Sequence, residues 1–214
     1  MVFTIDTYPV GGHFPKVSWG EGQFPSPEAI EPADDGGVGR SGLNAGVPVD
    51  GAVLPDKIVW NEAADNLPPD FDATPVLNIS ERARATIEQL EPGTHQFFAV
   101  DYVWPSGEPI ETRYWWVICN RLNSIDPDHS NMVMNPYRWF IPPKDAARRK
   151  YPMPDHVNPD LPGKYVIDSS QCEGHHFWRE MHTSAGMALM SDAAWQAIQN
   201  NDLTGLRPQE LEVI

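Results

Sequence analysis

The chain has 214 residues, with 15 Lys and Arg against 30 Asp and Glu and a formal net charge of −15. Its hydrophobic fraction of 41%, which includes 8 Trp, is enough for a packed core and excludes a disordered chain. Phosphate surfaces repel so acidic a protein, which argues against nucleic acids and anionic membranes as partners and is compatible with a basic protein. The charge is equally well explained as a solubility device.

The first residues, MVFTIDTYPVGGHF, lack the basic segment and the apolar run of a secretory signal. No stretch approaches the roughly 18 apolar residues that cross a bilayer. We therefore expect a cytoplasmic protein. The two cysteines, Cys119 and Cys172, are too few for a disulfide framework and are expected to be reduced thiols.

Residues 1–75 differ in composition from the rest of the chain. They hold 10 of the 22 Pro, 10 of the 16 Gly, 12 acidic residues and 3 basic ones. Gly and Pro oppose helix and sheet interiors, so we predict a loop-rich acidic arm packed on a core domain formed by residues 76–214. Glu31–Gly46 is expected to be an exposed loop. Val2–Ile5 and Lys57–Trp60 are expected to be edge strands or anchors of the arm.

The core domain begins with a predicted helix over ERARATIEQL. Ser80 is suited to cap this helix, Glu81 complements the dipole of its first turn, and Pro92-Gly93 ends it. Two runs rich in aromatic and β-branched residues follow, joined by the turn Pro105-Ser106-Gly107. They predict a β-hairpin over Phe97–Ile125.

The last third of the chain repeats the same local patterns. KYVIDSS and HHFWREMH are typical of short strands, and MALMSDAAWQAIQNN places a strand, a Ser cap (Ser191) and a helix in succession. The predicted fold class is therefore α+β, a mainly antiparallel sheet with a few short helices and the loop-rich N-terminal arm.

The densest group of chemically active side chains lies in CEGHHFWREMH. Three histidines and one glutamate could converge on a divalent metal, as in a small metal-dependent hydrolase; these residues are His175, His176, Glu180 and His182. The tighter spacings of known zinc motifs, such as H-E-x-x-H or paired C-x-x-C, do not occur. Solvated or hydrogen-bonded histidines are the default interpretation, and we predict no catalytic residue, metal or cofactor.

The aromatic hairpin is the other candidate site. In ETRYWWVICNRL, Tyr114 and Trp116 face one side of the strand, while Arg113 and Trp115 face the other. One side packs in the core; the other is either covered by the arm, which is the favoured interpretation, or forms a Trp/Arg interface. If it is an interface, Arg113 and Trp115 are the expected anchors. The acids expected to attract a basic partner are Asp34, Asp35, Glu108 and Glu111.

The order of these elements resembles a known family. The chain ends in an apolar strand, a Ser-acid pair, a short helix and a Thr-Gly-Leu segment, at Ala188–Met190, Ser191-Asp192, Ala193–Gln199 and Thr204-Gly205-Leu206. It also has a Ser-Glu-Arg-Ala helix start (Ser80–Ala83) and a His-Phe-Trp-Arg strand (His176–Arg179), which carries an extra Trp before the Arg. Over about residues 75–214 it resembles immunity protein family eleven of bacterial polymorphic-toxin systems.

This resemblance implies a non-enzymatic bacterial protein of interbacterial competition. Such a protein binds and neutralises a cognate toxin encoded beside it, by covering the toxin's active site or locking the toxin in an inactive shape. No catalytic residues are carried over. The small metal-dependent hydrolase and a structural adaptor whose arm docks on a larger complex are the alternatives.

Overall fold

Two six-stranded sheets carry most of the fold, and two short helices lie beside them. The computed structural model of the chain describes residues 1–8, 14–20, 23–28, 36–38, 42–145, 152–183 and 186–214. The helices are α1 (Glu81–Leu90) and α2 (Asp192–Asn200). Sheet therefore outweighs helix, and the predicted α+β class is confirmed in broad terms.

Most strands of the described residues have two to four residues. In chain order the strands are β1 (Val2–Thr4), β2 (Val17–Ser18), β3 (Lys57–Trp60), β4 (Phe71–Asp72), β5 (Asn78–Ile79), β6 (Gln96–Val103), β7 (Pro109–Val117), β8 (Arg121–Leu122), β9 (Val133–Met134), β10 (Trp139–Phe140), β11 (Val166–Ile167), β12 (Phe177–Glu180), β13 (Ala188–Ser191) and β14 (Glu210–Val213). Among these described strands, only β6 and β7 are longer.

Most strand pairs are antiparallel. The first sheet has the order β11-β14-β1-β13-β12-β8, in which β11 with β14 and β12 with β8 run parallel. The second sheet has the order β2-β3-β6-β7-β5-β4, in which β3 and β6 run parallel. A separate two-stranded ladder joins β9 to β10.

The N-terminal arm supplies inner strands to both sheets. β1 lies between β13 and β14, with Phe3 opposite Met190, and β3 lies between β2 and β6. The edge-strand interpretation of Val2–Ile5 and Lys57–Trp60 is therefore wrong, although both segments do anchor the arm. Runs of three or four residues are too short for their alternation to show how many neighbours a strand has.

Part of the predicted loop Glu31–Gly46 lies outside the described residues, and its described end, residues 42–46, is buried except at Asn44. Leu43 and Ala45 are buried, and the guanidinium of Arg121 donates a hydrogen bond to the carbonyl oxygen of Ala45 at 2.9 Å. The expectation of an exposed loop is wrong for this end. This end of the loop is held by its contact with Arg121 of β8. A contact between segments so far apart in the chain cannot be inferred from local composition.

Both helices begin as their sequences predict. Ser80 Oγ accepts a hydrogen bond from the Ala83 N–H at 3.2 Å, and Ser191 Oγ accepts one from the Ala194 N–H at the same distance. Each serine thus satisfies an N–H group that has no partner inside its helix. Ile87 is buried on the inner side of α1.

The aromatic hairpin is formed by β6 and β7, which pair from Gln96 opposite Val117 to Val103 opposite Pro109. The hairpin itself was predicted, but its second strand ends at Val117 and does not continue to Ile125. After Cys119 and Asn120 the chain crosses into the first sheet as β8. Continuous β-forming composition over these residues conceals the change of sheet.

The main core lies between the two sheets and the helices. The rings of Trp116 (β7) and Phe177 (β12) meet edge to face, with centroids 5.2 Å apart and planes at 82°. Phe3 of β1 and Ile198 of α2 belong to the same cluster. Residues of both sheets and of the arm therefore share one core.

Gly46 permits the close contact between the arm and the first sheet. It has φ +76, and a Cβ there would lie 2.9 Å from Cβ of both Arg121 and Arg179. Gly93 has a similar φ of +68, with nothing within 4 Å of such a Cβ. It therefore provides a matched control.

We predict that Gly93→Ala costs about 1 kcal/mol of unfolding free energy, from backbone strain alone. Gly46→Ala should cost a further ~1–3 kcal/mol, because the added methyl pushes the loop off both arginines. Urea unfolding of both variants measures the difference. Equal costs would show that the loop does not pack on these side chains as described.

Candidate functional site

The carboxylate of Glu91 joins the end of α1 to both sheets. Its Oε1 accepts hydrogen bonds from Asn120 Nδ2 at 3.0 Å and from the His176 backbone N–H at 2.9 Å. Its Oε2 accepts the Phe177 backbone N–H at 3.1 Å and lies 2.8 Å from His95 Nε2. The start of β6, the link from β7 to β8 and the start of β12 are thus held at one point.

His95 completes this network inside the core. Its Nδ1 accepts the backbone N–H of Cys119 at 3.2 Å, so Nε2 carries the proton and donates to Glu91. Burial alone would raise the pKa of Glu91, but the hydrogen bonds from His95, His176 and Phe177 outweigh it and hold the pKa below its ordinary value of 4.5. The carboxylate is therefore ionised at neutral pH.

Cys119 lies beside this network but is not activated by it. Burial raises the pKa of its thiol to about 11, so the thiolate is scarce at neutral pH. The contact to His95 is made by the backbone N–H and not by the sulfur. Cys119 thus has the environment of a structural cysteine.

The histidines that were considered as possible metal ligands have separate partners. His176 Nδ1 lies 2.8 Å from Ser191 Oγ at the cap of α2, and His182 Nδ1 donates to the carbonyl oxygen of Tyr137 at 2.8 Å. His175 Nδ1 is 4.0 Å from Glu91 Oε1. Within the described ranges, no group of three or more His, Cys, Asp or Glu side chains is placed to hold a metal ion.

Glu180, the fourth member of that set, is fully buried. Its Oε2 accepts both the backbone N–H and the hydroxyl of Ser124 at 2.8 Å, and its Oε1 accepts the His182 backbone N–H at 3.1 Å. Burial raises the pKa of Glu180 and the bonds from Ser124 oppose the rise. This carboxyl fastens β12 to the chain that follows β8.

Arg113 and Trp115, the predicted anchors, are both 0% exposed. Arg113 Nε donates to Asn78 Oδ1 at 2.8 Å, and the Trp115 indole N–H donates to the Pro55 carbonyl oxygen at 2.9 Å. The ring of Phe24, from the arm, meets Trp115 edge to face at 5.3 Å. An exposed interface at these two residues is therefore wrong, and coverage of Trp115 by the arm is what the structure shows.

The four predicted acidic contacts differ in their surroundings. Asp34 and Asp35 lie outside the described residues. Glu108 is exposed at the hairpin turn, whereas Glu111 accepts a hydrogen bond from Arg113 Nη1 at 2.6 Å. Glu108 is thus accessible, whereas Glu111 is already paired with the buried guanidinium of Arg113.

The exposed part of the hairpin lies on its other side. Ala99, Asp101 and Thr112 are exposed there, and Tyr114 is half-buried. The guanidinium of Arg84, from α1, lies 4.6 Å from the centroid of the Tyr114 ring. Tyr114 packs at the border of the main core cluster. Sequence reasoning missed Arg84, because the packing of α1 beside β7 is a tertiary contact.

An open groove of about 550 Å³ lies beside β2, at the edge of the second sheet. Its lining combines apolar Trp19, Pro55 and Val53 with Asp56 and Lys57. Sequence reasoning missed this groove as well, since its walls come from residues within two stretches that are distant in the chain, 18–25 and 53–59.

These features define a sheet-rich α+β protein. Its buried Glu91, Glu180 and Arg113 are hydrogen-bonded to neighbouring segments, and part of its hairpin is exposed. The model of the Immunity protein family (Imm11) matches residues 54–213, and the chain belongs to this family. The resemblance noted in the sequence is thereby confirmed, and the match includes β3, ahead of the boundary predicted at residue 75. Curated proteins give no match to the chain. None of the described helices is long and apolar enough to span a membrane.

Glu91→Gln should lower the unfolding free energy by about 1–3 kcal/mol at pH 7. In the wild-type protein both carboxylate oxygens accept backbone N–H groups, whereas the amide NH₂ of the variant would face one of these N–H groups and leave it without an acceptor. Glu88→Gln, on the half-buried side of the same helix, is the control and should have little effect. Denaturant unfolding of both variants measures the difference.

The same variant should change the pH dependence of stability. A lowered folded-state pKa means that Glu91 contributes its full stabilisation above about its ordinary value of 4.5 and loses it as the pH falls through the folded-state pKa. Glu91→Gln should therefore lose less stability than wild type below pH 4.5. Parallel acid curves for the two proteins would contradict the assigned network.

Proposed function

We propose that this protein is a non-enzymatic immunity protein that binds and neutralises a toxin encoded next to it, inside the bacterial cytoplasm. The observation that carries the proposal is the family match over residues 54–213. Neutralisation would follow from occlusion of the toxin's active site or from fixing the toxin in an inactive shape. Either route needs a stable complementary surface and no bond-making chemistry.

The interior supports a binding role. Glu91, Glu180 and Arg113 are ionisable groups of the kind enzymes use, yet each makes several hydrogen bonds that hold neighbouring elements together. The Cys119 thiol has its pKa raised to about 11. These groups stiffen the fold, and a stiff surface loses less conformational entropy on association.

The net charge of −15 supports a basic partner. Opposite charge on the two proteins accelerates their encounter, and exposed acids such as Glu108 contribute to this attraction. Asp34 and Asp35 remain proposed contacts on the same grounds. Charged residues at the edge of an interface mainly change the association rate, whereas residues packed in its centre mainly change the dissociation rate.

Co-expression with the adjacent gene tests the proposal directly. We expect cells to survive the toxin when this protein is present. The variant with His175, His176 and His182 all replaced by Ala should protect as well as wild type, apart from a stability loss of about 1 kcal/mol for each hydrogen bond removed. Failure of this variant to protect, while it remains folded by circular dichroism, would argue for histidine chemistry.

The electrostatic part of the proposal has its own test. Replacing Asp34 and Asp35 by Asn should slow association with the adjacent gene product and flatten its dependence on salt, with dissociation unchanged. Asp155 and Asp160, both exposed in the loop before β11, give a control with the same change of charge. Stopped-flow kinetics at two ionic strengths measure the effect. Identical association rates for the two double variants would remove Asp34 and Asp35 from the contact.

A further inference from the structure

We infer that the outer side of the β6–β7 hairpin docks a basic surface of the partner protein. This surface, the hairpin platform, consists of Phe97, Ala99, Asp101, Thr112 and Tyr114 with Arg84 of α1 at its border. The inference rests on the proposed function, because it assigns the partner's contact to one part of the molecule.

Strand alternation determines which residues of the hairpin are accessible. One face carries Arg113 and Trp115 and is covered, in part by Phe24 of the arm. The opposite face is also covered at one end, where Trp116 packs on Phe177. Towards the turn this face emerges from the core, and Asp101 and Thr112 are exposed. The platform is this emerging half, extended along β6 to the half-buried Phe97, which lies opposite Trp116.

The side chains of the platform are already ordered. The Arg84 guanidinium lies 4.6 Å from the Tyr114 ring centroid and 5.6 Å from that of Phe97. It is also 3.5 Å from a carboxylate oxygen of Glu81. Thr112 Oγ1 donates to Asp101 Oδ1 at 2.9 Å. Tyr and Arg dominate the energetics of many interfaces, and prior ordering reduces the entropy lost when a partner binds.

The charge of the platform indicates which partner fits. Glu81 has 63% of its side chain exposed, and Asp101 and Glu108 are exposed nearby on the hairpin. Lys57 of β3 pairs in register with Asp101 of β6, so one cation lies next to this carboxylate on the adjacent strand. Lys or Arg side chains of the partner would pair with the acids, while a flat or aromatic group would lie on Tyr114 and Arg84.

Two variants of the platform test the inference without disturbing the core. Thr112→Arg places bulk and positive charge at its centre, where the new side chain can pair with Asp101. Arg84→Ala removes the cation stacked on the two rings. The purified product of the adjacent open reading frame is the probe, and its dissociation constant is measured by surface plasmon resonance. Each variant should weaken binding by at least about 30-fold, equivalent to ~2 kcal/mol, mostly through faster dissociation.

Matched controls separate this effect from general damage. Thr94→Arg makes the same change at an exposed threonine in the turn after α1, and Arg82→Ala removes the arginine that donates to the Asn201 carbonyl oxygen at 2.7 Å on another side of the helix. Both should bind within about threefold of wild type, as substitutions outside hot spots do. Thermal unfolding confirms that all four variants are folded.

The remaining outcomes overturn the inference in distinguishable ways. Wild-type protein that fails to bind the adjacent gene product would contradict the proposed function and the platform with it. If wild type binds and Thr112→Arg binds equally well, the function stands and the platform is wrong. Loss of binding in Val53→Arg alone, an exposed position of the groove beside β2, would place the contact in that groove instead.

Discussion

The relative positions of α1 and the two sheets depend on the buried carboxylate of Glu91. It ends α1, accepts two consecutive backbone N–H groups at the start of β12, and binds Asn120 where the chain passes from one sheet to the other. A carboxylate with this many donors is held in one orientation, and its removal would leave several buried donors without an acceptor. Because Glu91 fixes the end of α1, it also fixes the helix that carries Arg84 across the hairpin.

Other buried ionisable groups repeat this arrangement on a smaller scale. Arg113 donates to Asn78 and to the Pro69 carbonyl oxygen, and Glu180 accepts from both polar groups of Ser124. In each case a buried ionisable group makes hydrogen bonds to groups that belong to different segments, and Arg113 is also paired with Glu111 of its own strand. These bonds convert short strands, several of only two residues, into a defined assembly. The buried polar groups therefore fix the shape of the protein, and the exposed residues are the ones that can contact a partner.

The features that could be predicted from the sequence are those that a few neighbouring residues determine. Ser80 and Ser191 cap their helices, and the Pro-Ser-Gly turn joins β6 to β7, because capping and turn geometry are local. β1 takes its inner position by pairing with β13, which lies more than a hundred residues away in the chain. Leu43 is buried two residues before Ala45, whose carbonyl oxygen is bound by Arg121, several tens of residues away. Burial of Arg113 was missed since a charged residue is buried only where its hydrogen-bond partners converge, and Asn78 and Pro69 come from other elements. The same limit concealed Arg84 above Tyr114.

The central claim is that protection results from stoichiometric binding by a rigid surface. Titration of this protein into a fixed amount of the adjacent gene product, with residual toxin activity as the readout, tests it most directly. If binding is the mechanism, inhibition rises linearly, stops at a fixed molar ratio and does not change with longer incubation. Inhibition by substoichiometric amounts that grows with time would show turnover and would contradict a binding mechanism.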